Sequence, residues 1–482
     1  MSKSARTMNG ASLFLSGGLA LSLAGCAVGP DYHRPTLAEP AAYHNAKALA
    51  GRQATRAAPP LDNWWQGFDD PVLSRLIERA LAQNLDLKAA LARVAQARAT
   101  ANEASAQRLP EGNFAADGLR EHQSLESPLG KIGSAFPGYT RNQSLYDIGA
   151  GASWEADLFG GLKRQAEAAD AEAQAAEADR LGLRVSIAAE VADAYFRARA
   201  AQQRITLAEA QTRTDARLLN LVQLRLAGGL STSREQAQAE AQLAQTRASL
   251  PPLAIEREVQ LNRLDVLMGA TPGSYASELA QPVERYTVPT ITASQGPVDL
   301  LRRRPDVIAA ERRLAASNAR IGTATAQYYP QLTLSSLLGF VSLGSGNLLT
   351  AAAFQPQAAA GLRWRLFDFG RVDAEVAAAK GGEAEALARY RQSMLHATED
   401  VENAIVTLTQ LEAQDRELKT QVAAQTQARD ASEEAYRGGA VSLFEVLDEE
   451  RRLLAARDQQ AQVRAADARA AVATFRALGG GW

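Results

Sequence analysis

Cysteine is almost missing: the chain of 482 residues has one, Cys26, so no disulfide can form within it. Histidine is nearly as scarce. His33, His44, His122 and His396 are scattered along the chain, and with one cysteine they assemble no zinc or iron–sulfur ligand spacing. No Gly-rich loop ends in Lys-Ser/Thr and no nucleophile elbow occurs, so neither a phosphate cradle nor an acyl-transfer serine is in view. The residues therefore point to no enzyme and no cofactor. Net charge is only −2. Removing residues 1–25, which hold Lys3 and Arg6 and no acid, would make it −4, and a nucleic-acid footprint would need a basic face. Methionine beyond that segment is limited to Met268 and Met394, which speaks against a metal-ion relay.

Alanine is what the chain has in excess, with fifteen of the thirty-six residues from Ala166 to Ala201. The run 160–227 contains no proline and one internal glycine, Gly182. Ala, Glu, Gln, Arg and Leu favour helix. Larger apolar residues recur at helical spacing, as at Ile187, Val191 and Tyr195. At 1.5 Å per residue this is a helix of about 100 Å. It ends at Gly228-Gly229, and the capping box Thr232-Ser-Arg-Glu235 opens a return helix over 232–268, with Pro251-Pro252 kinking it midway.

The same plan then recurs. Asn84 and Pro110 match Arg304 and Pro330 at a shift of 220; Trp154, Gly160, Gly228 and Thr232 match Trp364, Gly370, Gly438 and Ser442 at a shift of 210. The difference falls between the two strands of a hairpin. The chain is read as an internal duplication: a first repeat over 61–268, a connector over 269–296, and a second repeat over 297–482 with long helices 370–437 and 442–478. The first repeat opens with one helix from Pro71, capped by Asp70, to about Arg108.

Residues 1–25 read as a lipoprotein signal peptide. An apolar core from Ala11 to Leu23 precedes Leu23-Ala24-Gly25-Cys26, and acylation of Cys26 would anchor the chain in lipid. Ala27 stands where an inner-membrane retention aspartate would, which favours the outer membrane. Residues 26–60, with five prolines, read as an extended tether.

Between helices the period changes. Strands are expected over 113–122, 144–158, 331–343 and 354–367. From Tyr146 to Leu158 the even positions are apolar or small, and the odd ones are mainly Asp, Gly, Ser and Glu. Four strands cannot close a barrel alone, and open edges are not tolerated in lipid. Two chains would supply eight strands and three would supply twelve.

In their order, several motifs resemble the TolC-like outer-membrane efflux proteins, in the lipoprotein (NodT-type) branch. They are Cys26-Ala-Val-Gly-Pro-Asp-Tyr32, Trp64-Trp65 through Asp70-Pro71, Asn84-Leu-Asp-Leu87, Asp157-Leu-Phe-Gly160, Arg304-Pro-Asp306, Phe367-Asp-Phe-Gly-Arg371 and Tyr436-Arg-Gly438 through Asp448. The resemblance implies a mixed α and β fold: a trimer with a twelve-stranded β-barrel continued by a twelve-helix periplasmic α-barrel. It implies the passive exit duct of a tripartite pump, with a periplasmic adaptor and an inner-membrane transporter of the resistance-nodulation-division type, exporting drugs or other small toxic molecules.

The resemblance also assigns Phe444 and Asp448 to a periplasmic gate. It assigns the two turns, Gly228, Gly229, Leu230 and Ser231, and Gly438, Gly439, Ala440 and Val441, to the adaptor. The plainer alternatives are a solvated Asp448 beside Arg451 and Arg452, a Phe444 packed between helices, and glycines that only end helices. Ser233-Arg234-Glu235 departs from the more apolar stretch usual after the first tip. Two other functions stay open at this point: a conduit for secreted proteins, and a non-conducting coiled-coil lipoprotein.

Overall fold

A computed structural model describes residues 27–36, 42–50, 59–280, 287–291 and 303–482. The signal peptide, Cys26 and parts of the tether and connector lie outside them. Contacts divide the chain into two units. The first comprises Met1–Pro35, Ala95–Gln174 and Glu311–Ala388; the second comprises Thr36–Val94, Ala175–Ala310 and Arg389–Trp482.

The long elements run in this order: α1 Pro71–Gln83, α2 Leu85–Ala106, β1 Glu111–His122, β2 Asn142–Ala156, α3 Gly161–Ala227, α4 Ser233–Ala248, α5 Leu250–Leu267, α6 Pro305–Ala326, β3 Gln331–Ser342, β4 Phe354–Arg363, α7 Arg371–Arg437 and α8 Leu443–Ala477. Helices α3 and α7 are each 67 residues long.

In the first unit the four strands form one antiparallel sheet in the order β1-β2-β3-β4. Residues 27–35 do not float as a free tether. The Val28 N–H donates to the Phe159 carbonyl at 3.0 Å, and Arg164 Nη2 meets Asp31 Oδ1 at 2.7 Å. The Tyr32 hydroxyl donates to Glu311 Oε1 at 2.6 Å, and its ring packs on Ala171, Ala315 and Ala316. A Cβ on Gly29, which has φ +89°, would lie 2.4 Å from the Gly322 Cα, so the close approach needs glycine at 29, while a Cβ on Gly322 would meet the Arg164 side chain at 2.6 Å.

In the second unit the core is built where the chain begins its first helix. Asp70 caps α1, accepting from the Val72 N–H at 2.9 Å and the Leu73 N–H at 3.2 Å. The Tyr195 hydroxyl donates to the other carboxylate oxygen. Trp64, Trp65 and Phe68 are buried beside Phe196 and Phe475, with Trp64 stacked on Phe475 at 5.6 Å between ring centres.

Several boundaries differ from the sequence reading, among them that of β1, which begins at Glu111 rather than 113. The first helix is two helices, broken at Asn84, whose Oδ1 accepts from the Leu87 N–H at 3.0 Å while Nδ2 donates to the Leu267 carbonyl at 2.9 Å. The return helix breaks at Ser249, just before Pro251 and Pro252. Prolines in a first turn remove no hydrogen bond, so the ladder is cut ahead of them. Strand β2 covers 142–156 rather than 144–158. Strand β4 stops at Arg363 rather than 367, because β3, its one partner among the described residues, begins at Gln331, opposite Arg363.

Replacing Trp64 by Ala should remove the centre of the aromatic cluster and cost about 3–5 kcal/mol. A chemical-denaturation midpoint unchanged from wild type would contradict that role.

Candidate functional site

The sheet registers give one mainly apolar face, which also holds Arg120 and His122, and one mainly polar face, which also holds Leu119, Leu145, Leu337 and Val341. On one face β1 sets Phe114 and Ala116 beside Ala150 and Ile148 of β2. These continue into Leu338 and Phe340 of β3 and Pro356 and Phe354 of β4. The other face carries Asn113, Asp117, Asp147, Ser153, Glu155, Thr333, Gln357 and Arg363. Among the described residues of the unit nothing covers the apolar face: Phe114 is 70% exposed and Leu362 is 68% exposed. Trp154 and Trp364 stand at the helix-side ends of β2 and β4. Their indole N–H groups donate to the Arg108 carbonyl at 2.9 Å and the Tyr328 carbonyl at 3.0 Å.

In the second unit the two glycine turns have one geometry. The Gly229 N–H donates to the Leu226 carbonyl at 2.9 Å and the Leu230 N–H to the Arg225 carbonyl at 2.7 Å. The Gly439 N–H donates to the Tyr436 carbonyl at 3.0 Å and the Ala440 N–H to the Ala435 carbonyl at 2.9 Å. These are paired Schellman closures, with Gly229 at φ +72° and Gly439 at φ +75°, where a side chain would be strained. The ends of α3 and α7 are tied together by Arg225, whose guanidinium lies 4.5 Å from the Tyr436 ring centre and donates to the Tyr436 carbonyl at 3.2 Å. Beneath them Leu218, Val222, Ala239, Tyr436, Leu443 and Val446 form a core.

The glycines, Leu230 and Ala440 are exposed, with Ser231 and Val441 half-buried. Of the two gate candidates, Phe444 is 63% exposed and so is not packed among the helices of its own chain. Asp448 is held on both oxygens, by Arg451 at 2.5 Å and Arg452 at 2.7 Å.

A buried polar cluster near these turns was missed in the sequence. Gln211 Nε2 donates to Asp215 Oδ1 at 2.8 Å and to Glu450 Oε2 at 2.9 Å, and the Thr246 hydroxyl donates to Asp215 Oδ2 at 2.6 Å. Arg429 is 3.9 Å from Glu450. The signal was available: Gln211 and Asp215 continue the Leu218–Val222 stripe of α3 upstream, and Glu450 sits between Val446 and Leu453 in α8. Burial, reinforced by Asp215, pushes the Glu450 carboxyl up to about 8, against the opposing pull of Arg429 and Gln211.

A sheet with one exposed apolar face, one polar face and two open edges is a piece of barrel wall. Joined in one chain to long helices that reverse at glycine turns, it defines the protomer of an outer-membrane channel protein. The chain belongs to the outer membrane efflux protein family, whose model matches residues 76–270 and 296–480. It is 34% identical over 471 residues to the pyoverdine export outer membrane protein OpmQ of Pseudomonas putida, covering 96% of each chain. It is 30% identical to nodulation protein T of Rhizobium leguminosarum bv. trifolii, covering 90% of each. Among solved structures, the outer-membrane channel OprN superposes with a TM-score of 0.85 at 35% identity, over 95% of this chain and 100% of that one. The NodT-type resemblance read from the motifs is thus the right one, and efflux at the outer membrane is the work of the family.

The raised Glu450 carboxyl makes stability depend on pH. The folded chain keeps a proton there that the unfolded chain releases above the ordinary 4.5. The contribution is complete below that value and is lost as pH rises through about 8. Glu450→Gln should flatten this slope, so that thermal midpoints of variant and wild type draw apart between those two pH values with the variant higher. Parallel profiles would refute the assignment.

Proposed function

We propose that three copies of the chain form a twelve-stranded barrel in the outer membrane, continued by a twelve-helix periplasmic barrel, as the passive exit duct of a tripartite efflux system. The observation that carries this reading is the sheet. Its apolar face is uncovered and its two edge strands have no second partner among the described residues. Energy comes from an inner-membrane transporter, of the resistance-nodulation-division type, reached through a periplasmic adaptor. The cargo class is small molecules, in keeping with a relative named for pyoverdine export.

The remaining assignments follow from this frame. Cys26 carries the lipid anchor, and the next residue, Ala27, packs on Gly160, where a Cβ would come within 2.6 Å of it. The turns Gly228–Ser231 and Gly438–Val441 meet the adaptor, each offering one exposed apolar side chain, Leu230 or Ala440. Phe444 and Asp448 form the periplasmic constriction. Asp448 there does not act as a bare carboxylate: Arg451 and Arg452 hold it, so the ring combines both signs of charge.

In planar bilayers the purified protein should open channels, and Asp448→Ala should raise their conductance. Absence of channels in both proteins would overturn the duct, and equal conductance would remove Asp448 from the gate. Cys26→Ala should abolish acylation of the mature N-terminus. Mass spectrometry showing an unlipidated wild-type chain would contradict the anchor.

A further inference from the structure

The internal duplication supplies a template, inside one chain, for the contact between two chains. We infer that β4 of one copy pairs with β1 of the next in the register of β2 on β3. This places Trp364 opposite the partner subunit's Phe114, Arg363 opposite the partner's Ala115, Leu362 opposite the partner's Ala116 and Gly361 opposite the partner's Asp117. The inference rests on the multi-chain barrel proposed above and adds to it the residues that meet.

The mapping follows from observed pairs. Landmarks up to the end of β1 recur in the second half shifted by 220, and those from β2 onward shifted by 210. Applied to the first hairpin, these shifts carry Glu111↔Ser153 onto Gln331↔Arg363, and both pairs exist. They carry the Trp154–Arg108 bond onto the Trp364–Tyr328 bond, and both exist. The same shifts applied to the boundary between halves carry Trp154↔Leu334, Ser153↔Ser335, Ala152↔Ser336 and Gly151↔Leu337 onto the four contacts named.

Three further observations agree. The first is where β4 ends. In β2, residues 154–156 lie beyond the last β1 partner at Ser153 and are strand only because β3 pairs with them. Their equivalents, 364–366, have no such partner among the described residues and are not strand. The missing length of β4 is thus the stretch whose template partner lies on the neighbouring copy.

The second is an aromatic contact present in one half and open in the other. Phe159 stacks on Tyr329 at 4.5 Å between ring centres. The equivalents are Phe369, which is 99% exposed, and Leu109, which is 65% exposed. The mapping brings Phe369 onto the partner subunit's Leu109.

The third is charge. On the polar face β1 carries Glu111, Asp117 and Glu121, while β4 and the residues after it carry Arg363 and Arg365 and no acid as far as Phe367. The inferred register sets Arg363 diagonal to the partner's Asp117 and Arg365 diagonal to the partner's Glu111, within reach of long side chains. Arg365, which also meets Glu375 at 3.3 Å, would bridge the two.

Disulfide trapping tests the register in the full chain. The in-register variants are Ala115→Cys with Arg363→Cys, and Asp117→Cys with Gly361→Cys. The slipped variants are Ala115→Cys with Gly361→Cys, and Asp117→Cys with Arg363→Cys. A third in-register variant, Leu109→Cys with Phe369→Cys, leaves the strands untouched. β1 and β4 stand three strand spacings apart in the sheet, about 14 Å, so any disulfide joins two copies. Opposed residues have Cα atoms about 4.5–5.5 Å apart, whereas slipped neighbours at about 7–8 Å exceed the roughly 7 Å limit for a bridge.

Oxidation in membranes should shift the in-register variants to two- and three-chain bands on non-reducing gels and leave the slipped ones as single chains. Bridging of the slipped pairs alone would overturn the register. So would trimers by native mass spectrometry with no bridging in any variant, while the assembly itself would stand. Monomers throughout would remove both the register and the barrel.

Discussion

Backbone amides at the edge of a sheet must find partners in hydrocarbon, where no water can replace them and each unpaired group costs several kcal/mol. Strands β1 and β4 each present one such edge. Most other features of the chain are arranged around that requirement. The four strands of the described sheet cannot meet it alone; in the assembly proposed above, identical copies do. Each hairpin must therefore end in helices that accept the same neighbours whether these come from the same chain or from the next.

Duplication meets this demand, and the two halves show how far side chains can diverge while keeping a task. Asn84 and Arg304 occupy equivalent positions at the start of a helix, and each donates to an equivalent carbonyl, Leu267 or Ala477. The neutral amide needs little else. The guanidinium is nearly buried, and burial alone would lower its pKa; Asp306 and Asp400 more than offset this, so it is raised. Replacing an amide by a guanidinium at a buried site thus required two carboxylates in the second half, and Asp306 already had a counterpart in Asp86.

The sheet was legible because a two-residue period leaves little room for another reading, as the run from Tyr146 to Ala156 illustrates. The glycine turns were legible because only glycine takes their backbone at no cost. The break at Asn84 was not, since no proline or glycine marks it: the side chain caps the Leu87 N–H locally, but its amide nitrogen is held by a carbonyl 183 positions away. The equivalent break before α6 is written locally, in Pro305. The end of β4 was misjudged for a related reason: the alternation continues to Phe367, but strand structure needs a partner as well as a pattern. Phe444 and Asp448 could be named from resemblance, yet the two arginines that hold Asp448 decide what charge the position offers. The tether from Ala27 to Pro35 reads as linker by composition, and only the contacts of Val28, Asp31 and Tyr32 show that it is fixed.

Alanine carries a cost that the second unit answers. Interfaces lined by Ala188, Ala192, Ala198 and Ala201 let helices come close and lose almost no side-chain freedom, but a row of methyl groups is smooth. Sliding one helix past another by a turn, 5.4 Å, would exchange one alanine contact for another. Register along such helices must come from the few groups that fit in one place. Tyr195 reaching Asp70, Arg225 over Tyr436, and the cluster of Gln211, Asp215, Thr246 and Glu450 are spaced along α3 and meet that need. A slip would strand buried carboxyl groups without their donors, a loss of several kcal/mol by the usual measure of unpaired buried charge. The buried acids are therefore better understood as fixing the alignment of long, featureless helices than as adding to their stability.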